Sequence, residues 1–237
     1  MAAFARAFDD GADGVEFDVR LAKDGVPVVI HDATLRRTGL TSGEVAQMTS
    51  TELANADVGS WFNRAHPKLA REEYDRQRVP TLAQVFELLR NRPGIIYVEL
   101  KTDHAASPSE LNQAVSHAIA AYGFQARVVV ATFDLPAITA VKSLNASIKT
   151  GALFAPRHHP NLSWRVDSML NAAIEHGADQ LLPHRLLARP RLIEKALDRR
   201  IPVAVWTVND RAWVMRAKTL GIHSLITNDP ARMLAEA

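Results

Sequence analysis

The run Ile95-Ile96-Tyr97-Val98-Glu99-Leu100 opens the regular part of the sequence pattern. Its aliphatic, aromatic and β-branched side chains suit a buried strand, and the run is too short for a core helix. Shortly downstream, Ser107-Pro108-Ser109-Glu110 marks a helix start, with Ser at the N-cap, Pro at the first helical position and Glu at the third. That helix should end near Tyr122, where Gly123 can take the left-handed conformation that closes a helix. The alternation then repeats toward the C-terminus. Strands are expected at 128–131, 149–154, 180–182, 202–207 and 224–227. Helices are expected at 134–144, 164–175, 189–199 and 210–221, with a short tail helix from Pro230. Strands alternating with helices of roughly 10–15 residues build parallel βα units.

Working backward, residues 14–21 read as one more parallel strand. Asp24-Gly25 is a hairpin turn, so the extended run 26–31 should fold back antiparallel and lie outside the main set. Residues 32–80 show no regular βα pattern, and Thr81-Leu82-Ala83-Gln84 opens a helix leading back in. Seven parallel strands are one short of a TIM (β/α)8 barrel, and an open doubly wound sheet is the alternative. The chain opens on a helix at 2–8, closed by Gly11, with no strand before it. The expected architecture is therefore an α/β TIM barrel whose first strand lies upstream of Met1. It forms a single domain over 1–237, with a small insertion at about 22–80 after the second barrel strand.

Composition narrows the function classes. Of 237 residues, 47% are hydrophobic, which excludes a disordered tail or a small disulfide-stapled module. The net charge is only +2 and no basic block stands out, so no nucleic-acid partner is expected. With no cysteine there is no thiolate metal site and no Cys nucleophile. No run of 18 apolar residues exists, so no transmembrane helix is expected. The opening Met1-Ala-Ala-Phe-Ala-Arg lacks the form of a signal peptide. Walker A, G-x-S-x-G and H-E-x-x-H motifs are all missing.

What remains is a set of charged groups inside strands. Alternation in Val15-Glu16-Phe17-Asp18-Val19 puts Glu16 and Asp18 on one face. Glu99 and Lys101 repeat the device. Carboxylates in strands buried on both faces are costly unless paired or metal-bound. At the C-terminal ends of barrel strands, Glu16, Asp18 and Glu99 suit a hard divalent cation, Mg²⁺ or Ca²⁺. A buried ion-pair network with Lys101 is the other reading. His31 ends an apolar run and is either a structural histidine or a general acid or base. Phe133 and Trp206 each end a strand and read equally as core or as pocket wall. His184 reads as a surface-loop histidine and His158-His159 as exposed, while His66, His104, His117, His176 and His223 carry no pattern.

The ordered set of motifs resembles the glycerophosphodiester phosphodiesterase family. It comprises Gly11-Ala-Asp-Gly-Val-Glu-Phe-Asp-Val19, Lys23-Asp-Gly25, Val28-Val-Ile-His-Asp32, Leu35, Arg37-Thr38, Glu99-Leu-Lys101, Val205-Trp-Thr-Val-Asn209 and Leu225-Ile-Thr-Asn-Asp-Pro230. The resemblance spans essentially 2–235, and Asp57, Gly59, Ser60 and Trp61 are similar to the short bacterial cytoplasmic type. It implies a TIM barrel and metal-dependent hydrolysis of a small-molecule glycerophosphodiester to an alcohol and sn-glycerol 3-phosphate. It also implies metal ligation by Glu16, Asp18 and Glu99, and His31 as the acid for the leaving alcohol. Lys101 falls near the phosphate, and Phe133 and Trp206 along the glycerol. A lysophospholipase D-type activity fits less well, because no apolar membrane-facing helix stands out.

One departure is expected to matter. The family opens with a strand ending His-Arg-Gly and then Pro-Glu-Asn-Thr, and this sequence starts inside the helix that follows. A first catalytic histidine and its phosphate-binding arginine are therefore expected upstream of Met1, in a longer parent sequence. The alternative is a catalytically impaired or non-catalytic glycerophosphate-binding member. A barrel lacking one strand exposes two edges, so the chain as written is also expected to be poorly soluble.

Overall fold

A computed structural model describes residues 1–39, 41–102, 107–156 and 165–235. His104, the His158-His159 pair and the expected helix start at Trp164 lie outside these residues. Among the described residues, helix α1 (Ala2–Asp9) precedes strand β1 (Val15–Leu21) and the short antiparallel β2 (Pro27–Val29). The short helices α2 (Ser50–Leu53) and α3 (Ser60–Ala65) follow. A regular series then runs α4 (Leu82–Leu89), β3 (Ile96–Leu100), α5 (Pro108–Ala121), β4 (Val128–Thr132), α6 (Leu135–Leu144), β5 (Lys149–Phe154), α7 (Val166–Glu175), β6 (Gln180–Pro183), α8 (Pro190–Asp198), β7 (Ala204–Val205), α9 (Ala212–Leu220), β8 (Ser224–Leu225) and α10 (Pro230–Leu234).

The strands join in parallel in the order β1-β3-β4-β5-β6, with Val15 opposite Ile96, Ile96 opposite Val128, Val129 opposite Lys149 and Gly151 opposite Gln180. Among the described residues, the single bridges Leu181–Val203 and His184–Trp206 tie β6 to the β7 segment, and β7 pairs with β8 through Ala204–Ser224. Two of the expected strands are therefore shorter than the sequence suggested. Pro183 and Pro202 face each other's strands and have no N–H to give, which thins the ladder between β6 and β7. Among the described residues, no ladder joins β8 to β1, so the barrel wall is open along that seam.

Alternation sorts the strand side chains into two sets. Val15, Phe17, Val19, Val98 and Val130 face outward and pack against the helices with Phe86, Leu111 and Val115. Tyr97, Val129, Ala131, Leu153, Leu182 and Ala204 fill the interior. At its lower end the Tyr97 hydroxyl reaches Gln180 Oε1 at 2.9 Å and Ser224 Oγ at 3.3 Å, tying β3 to β6 and β8 across the barrel. A filled interior of this kind leaves the C-terminal strand ends as the open mouth.

Local signals fix the helix starts. Thr81 and Gln84 form a reciprocal capping box on α4, and Ser107 accepts from Glu110 N–H on α5. Phe86 on α4 is fully buried, with its ring 5.1 Å from Phe124 and 5.6 Å from Tyr122. Phe86→Ala is expected to cost about 3–5 kcal/mol, read as a lower urea midpoint at unchanged slope. A loss below about 1 kcal/mol would place this side chain outside the stabilising core.

Segment 22–80 carries its own small core of Ala22, Val28, Leu35, Val45, Leu53 and Val79. Asp57 shapes its turn, accepting from the N–H groups of Gly59 and Ser60 and from the Ser60 hydroxyl. That turn sets Trp61 beneath the guanidinium of Arg37, 5.5 Å from the ring centre.

Candidate active site

The inward positions at the upper ends of β1 and β3 are Glu16, Asp18, Arg20 and Glu99, with Lys101 next along the chain. In register, Glu16 stands opposite Tyr97 and Asp18 opposite Glu99. Carboxylate oxygens of Glu16, Asp18 and Glu99 all lie within 4.8 Å of one another. Lys101 Nζ contacts Asp18 Oδ1 at 3.0 Å and also donates to Glu99 Oε1. Both readings of the sequence are thus present at once, since the ion pairs exist and the three carboxylates still converge.

One lysine does not balance three carboxylates. Burial, then the neighbouring Asp18 and Glu99, push the Glu16 carboxyl up to about 8. Burial likewise raises Glu99 to about 7, against the opposing pull of Lys101. Lys101 itself is raised above its ordinary value, its burial outweighed by Glu99 and Asp18. Three carboxylates against one ammonium leave a formal excess of two negative charges. An all-oxygen donor set with that excess fits a divalent cation such as Mg²⁺ or Ca²⁺.

The raised carboxyls make a stability prediction. Their folded values lie above the ordinary 4.5, so between about pH 5 and pH 7 the folded protein holds more protons than the unfolded chain. Stability therefore falls as pH rises through that window. Metal-free protein should melt lower at about pH 7.5 than at about pH 5.5, and added Mg²⁺ should raise the higher-pH value. A melting temperature that climbs over this range without metal would show that these carboxyls are not strained by burial.

His31 follows β2 and reaches the same mouth, because Ile30 N–H donates to Asp18 O at 3.1 Å. Its ring is 61% exposed. Nδ1 lies 2.7 Å from Asp32 Oδ1, which leaves Nε2 as the atom that can meet a substrate. Arg37 grips the same carboxylate from Nε at 2.6 Å and a terminal nitrogen at 3.1 Å. The Arg37 hydrogen bond is the main cause that holds Asp32 below the ordinary carboxyl value. Trp61, Arg37, Asp32 and His31 thus form a chain of contacts that orients one imidazole. Beneath it, buried Arg20 donates from Nε to His31 O at 2.9 Å.

Phe133 and Trp206 also meet at the mouth. Their ring centres are 5.6 Å apart at 79°, although they come from β4 and the β7 segment. The Trp206 indole N–H donates to Leu182 O at 2.8 Å, which fixes the ring. His184 completes this wall with its ring 5.1 Å from Trp206.

Sequence reading missed Arg20, the supporting pair Asp32 and Arg37, and His184. Arg20 was one alternation step beyond Asp18, and His184 one step beyond Leu182, so the period-two pattern carried both. A separate cavity of about 510 Å³ opens at the opposite end of the barrel beside Arg200, Lys218 and His223, away from these groups. Among the described residues no helix is long and apolar enough to cross a membrane.

Known proteins resemble this chain over nearly its whole length. A glycerophosphodiester phosphodiesterase of Caldanaerobacter subterraneus subsp. tengcongensis is 30% identical over 234 residues, covering 99% of this chain and 89% of the relative. A solved glycerophosphodiester phosphodiesterase from Agrobacterium tumefaciens is 25% identical and superposes with a TM-score of 0.77, covering 99% of this chain and 92% of that one. An Oleispira antarctica phosphodiesterase, solved with the product sn-glycerol-3-phosphate, shares the fold at 23% identity and a TM-score of 0.83, with 98% and 87% covered. The glycerophosphoryl diester phosphodiesterase family matches residues 1–232. The family match over residues 1–232 and a 30% identical relative covered almost end to end place this chain in the glycerophosphoryl diester phosphodiesterase family.

Proposed function

We propose that the chain is a metal-dependent phosphoric diester hydrolase that cleaves glycerophosphodiesters to an alcohol and sn-glycerol 3-phosphate. The observation that carries this reading is the convergence of Glu16, Asp18 and Glu99 at the mouth of a barrel of this family. These residues would hold Mg²⁺ or Ca²⁺, since both accept an all-oxygen set. When bound, the ion supplies positive charge to the phosphate oxygens. Lys101 pairs with Asp18 and Glu99 and adds charge close to the phosphate.

In the hydrolysis, a water oxygen bonds to phosphorus and the bond from phosphorus to the alcohol oxygen breaks. His31 Nε2 gives its proton to the departing oxygen, and one proton of the water passes to solvent. Asp32 and Arg37 hold the ring for that transfer. Phe133 and Trp206 form the wall along the glycerol carbons. We place the enzyme in the cytoplasm, on the likeness of the Asp57–Trp61 segment to the short bacterial type.

A second reading, a member that binds glycerophosphates but turns them over slowly, is favoured by one observation. Among the described residues, His31 is the histidine whose charge reaches Glu99, and a single imidazole there would have to serve both proton transfers. Incubation with glycerophosphocholine and Mg²⁺, followed by ³¹P NMR, separates the readings. Conversion to sn-glycerol 3-phosphate that stops on chelation supports the hydrolase. Phosphocholine as product, or no product from folded protein, contradicts it.

A further inference from the structure

Gln180, Leu182 and His184 share the inward face of β6 and its end. Gln180 accepts from the Tyr97 hydroxyl, Leu182 lies in the interior cluster, and His184 emerges at the mouth. The His184 ring stands edge-on to Trp206, at 76° between planes. Its Nδ1 accepts from Leu186 N–H at 3.3 Å, so the neutral ring carries its proton on Nε2. Among the described residues, Nε2 makes no hydrogen bond with the protein. Burial and the adjacent Arg185 keep this imidazole below its ordinary pKa, which favours the neutral donor.

A fixed N–H donor beside two aromatic rings matches a ligand with a C–H face and a hydroxyl rim. Glycerol has that form, whereas a bare phosphate is better served by Lys101 and a cation. We propose that His184 is a specificity-determining, substrate-binding residue, whose Nε2–H donates to a hydroxyl oxygen of the glycerol unit lying against Trp206. This rests on the phosphodiesterase reading above. A site built to hydrogen-bond a hydroxyl discriminates against the analogue that lacks it.

The test is calorimetric binding of sn-glycerol 3-phosphate and of n-propyl phosphate, which has the same phosphate and chain but neither hydroxyl. Both are titrated into the full chain in Mg²⁺. One hydrogen bond of this kind is worth up to about tenfold in affinity. His184→Phe should lower the preference for sn-glycerol 3-phosphate by about that factor, with n-propyl phosphate changed by less than about twofold. His184→Gln, which restores a side-chain N–H, should recover part of the preference. An unchanged preference in His184→Phe, or equal weakening of both ligands, overturns the assignment. Hydrolysis of glycerophosphocholine is followed on the same wild-type preparation. Hydrolysis with an unchanged preference sinks the His184 role alone. A shifted preference without hydrolysis upholds that role and sinks the phosphodiesterase reading.

Discussion

Glu99→Gln should lower kcat/KM for glycerophosphocholine by on the order of 10³-fold, the scale expected when a charged element of transition-state stabilisation is removed. Glu99 is the least exposed member of the carboxylate trio and stands on β3, directly opposite Asp18. The amide keeps the shape of the side chain but removes one negative charge from the set that would hold the cation. It also frees Lys101 to settle on Asp18 alone. The change should not unfold the protein, because burial disfavours the charged form of Glu99 in the metal-free state. The paired expectation is lost turnover with a melting temperature, near neutral pH and without metal, equal to or above that of the wild type. Near-normal activity in a folded Glu99→Gln protein would move the chemistry away from this cluster.

His31→Ala should lower kcat by about 10² to 10⁴-fold, the usual worth of a positioned general acid. The loss should shrink sharply with bis(p-nitrophenyl) phosphate, whose nitrophenolate departs without needing a proton. Equal loss on both substrates would assign His31 to binding or folding instead. Asp32→Asn should reproduce part of the effect, lowering kcat by about tenfold or more with KM little changed, because an amide no longer fixes the proton on Nδ1. Arg37 would then lose its bidentate partner, so the variant's melting temperature reports how much of the loss is structural.

The features legible in the sequence obey short periods. Two-residue alternation in 15–19 placed Glu16 and Asp18 together, and Val98-Glu99-Leu100-Lys101 repeated the pattern on a neighbouring strand. Capping residues marked the starts of α4 and α5 because their partners lie three positions away. The strand count followed from the same local signals. Less legible were the features set by distant neighbours. Strand β7 shrank to Ala204–Val205 because the prolines at 183 and 202 sit on facing segments, which no single stretch reveals. The support of His31 depends on Trp61 lying under Arg37, a contact that exists only once segment 22–80 has folded. The sequence reads His184 as a surface-loop histidine because it follows the expected strand 180–182. The alternation runs one residue further, and the aromatic wall needed both Phe133 and Trp206 in place before that histidine had a meaning.

The hydrolase reading requires that Glu16, Asp18 and Glu99 hold one divalent cation. Calorimetric titration of Mg²⁺ into chelator-treated protein at about pH 6 and about pH 8 tests it most directly, since carboxyls raised by burial must release protons to bind metal. A single site per chain is expected, tighter at the higher pH and abolished in Glu99→Gln. Folded wild-type protein that takes up no cation, or takes it up equally well in Glu99→Gln, would contradict it.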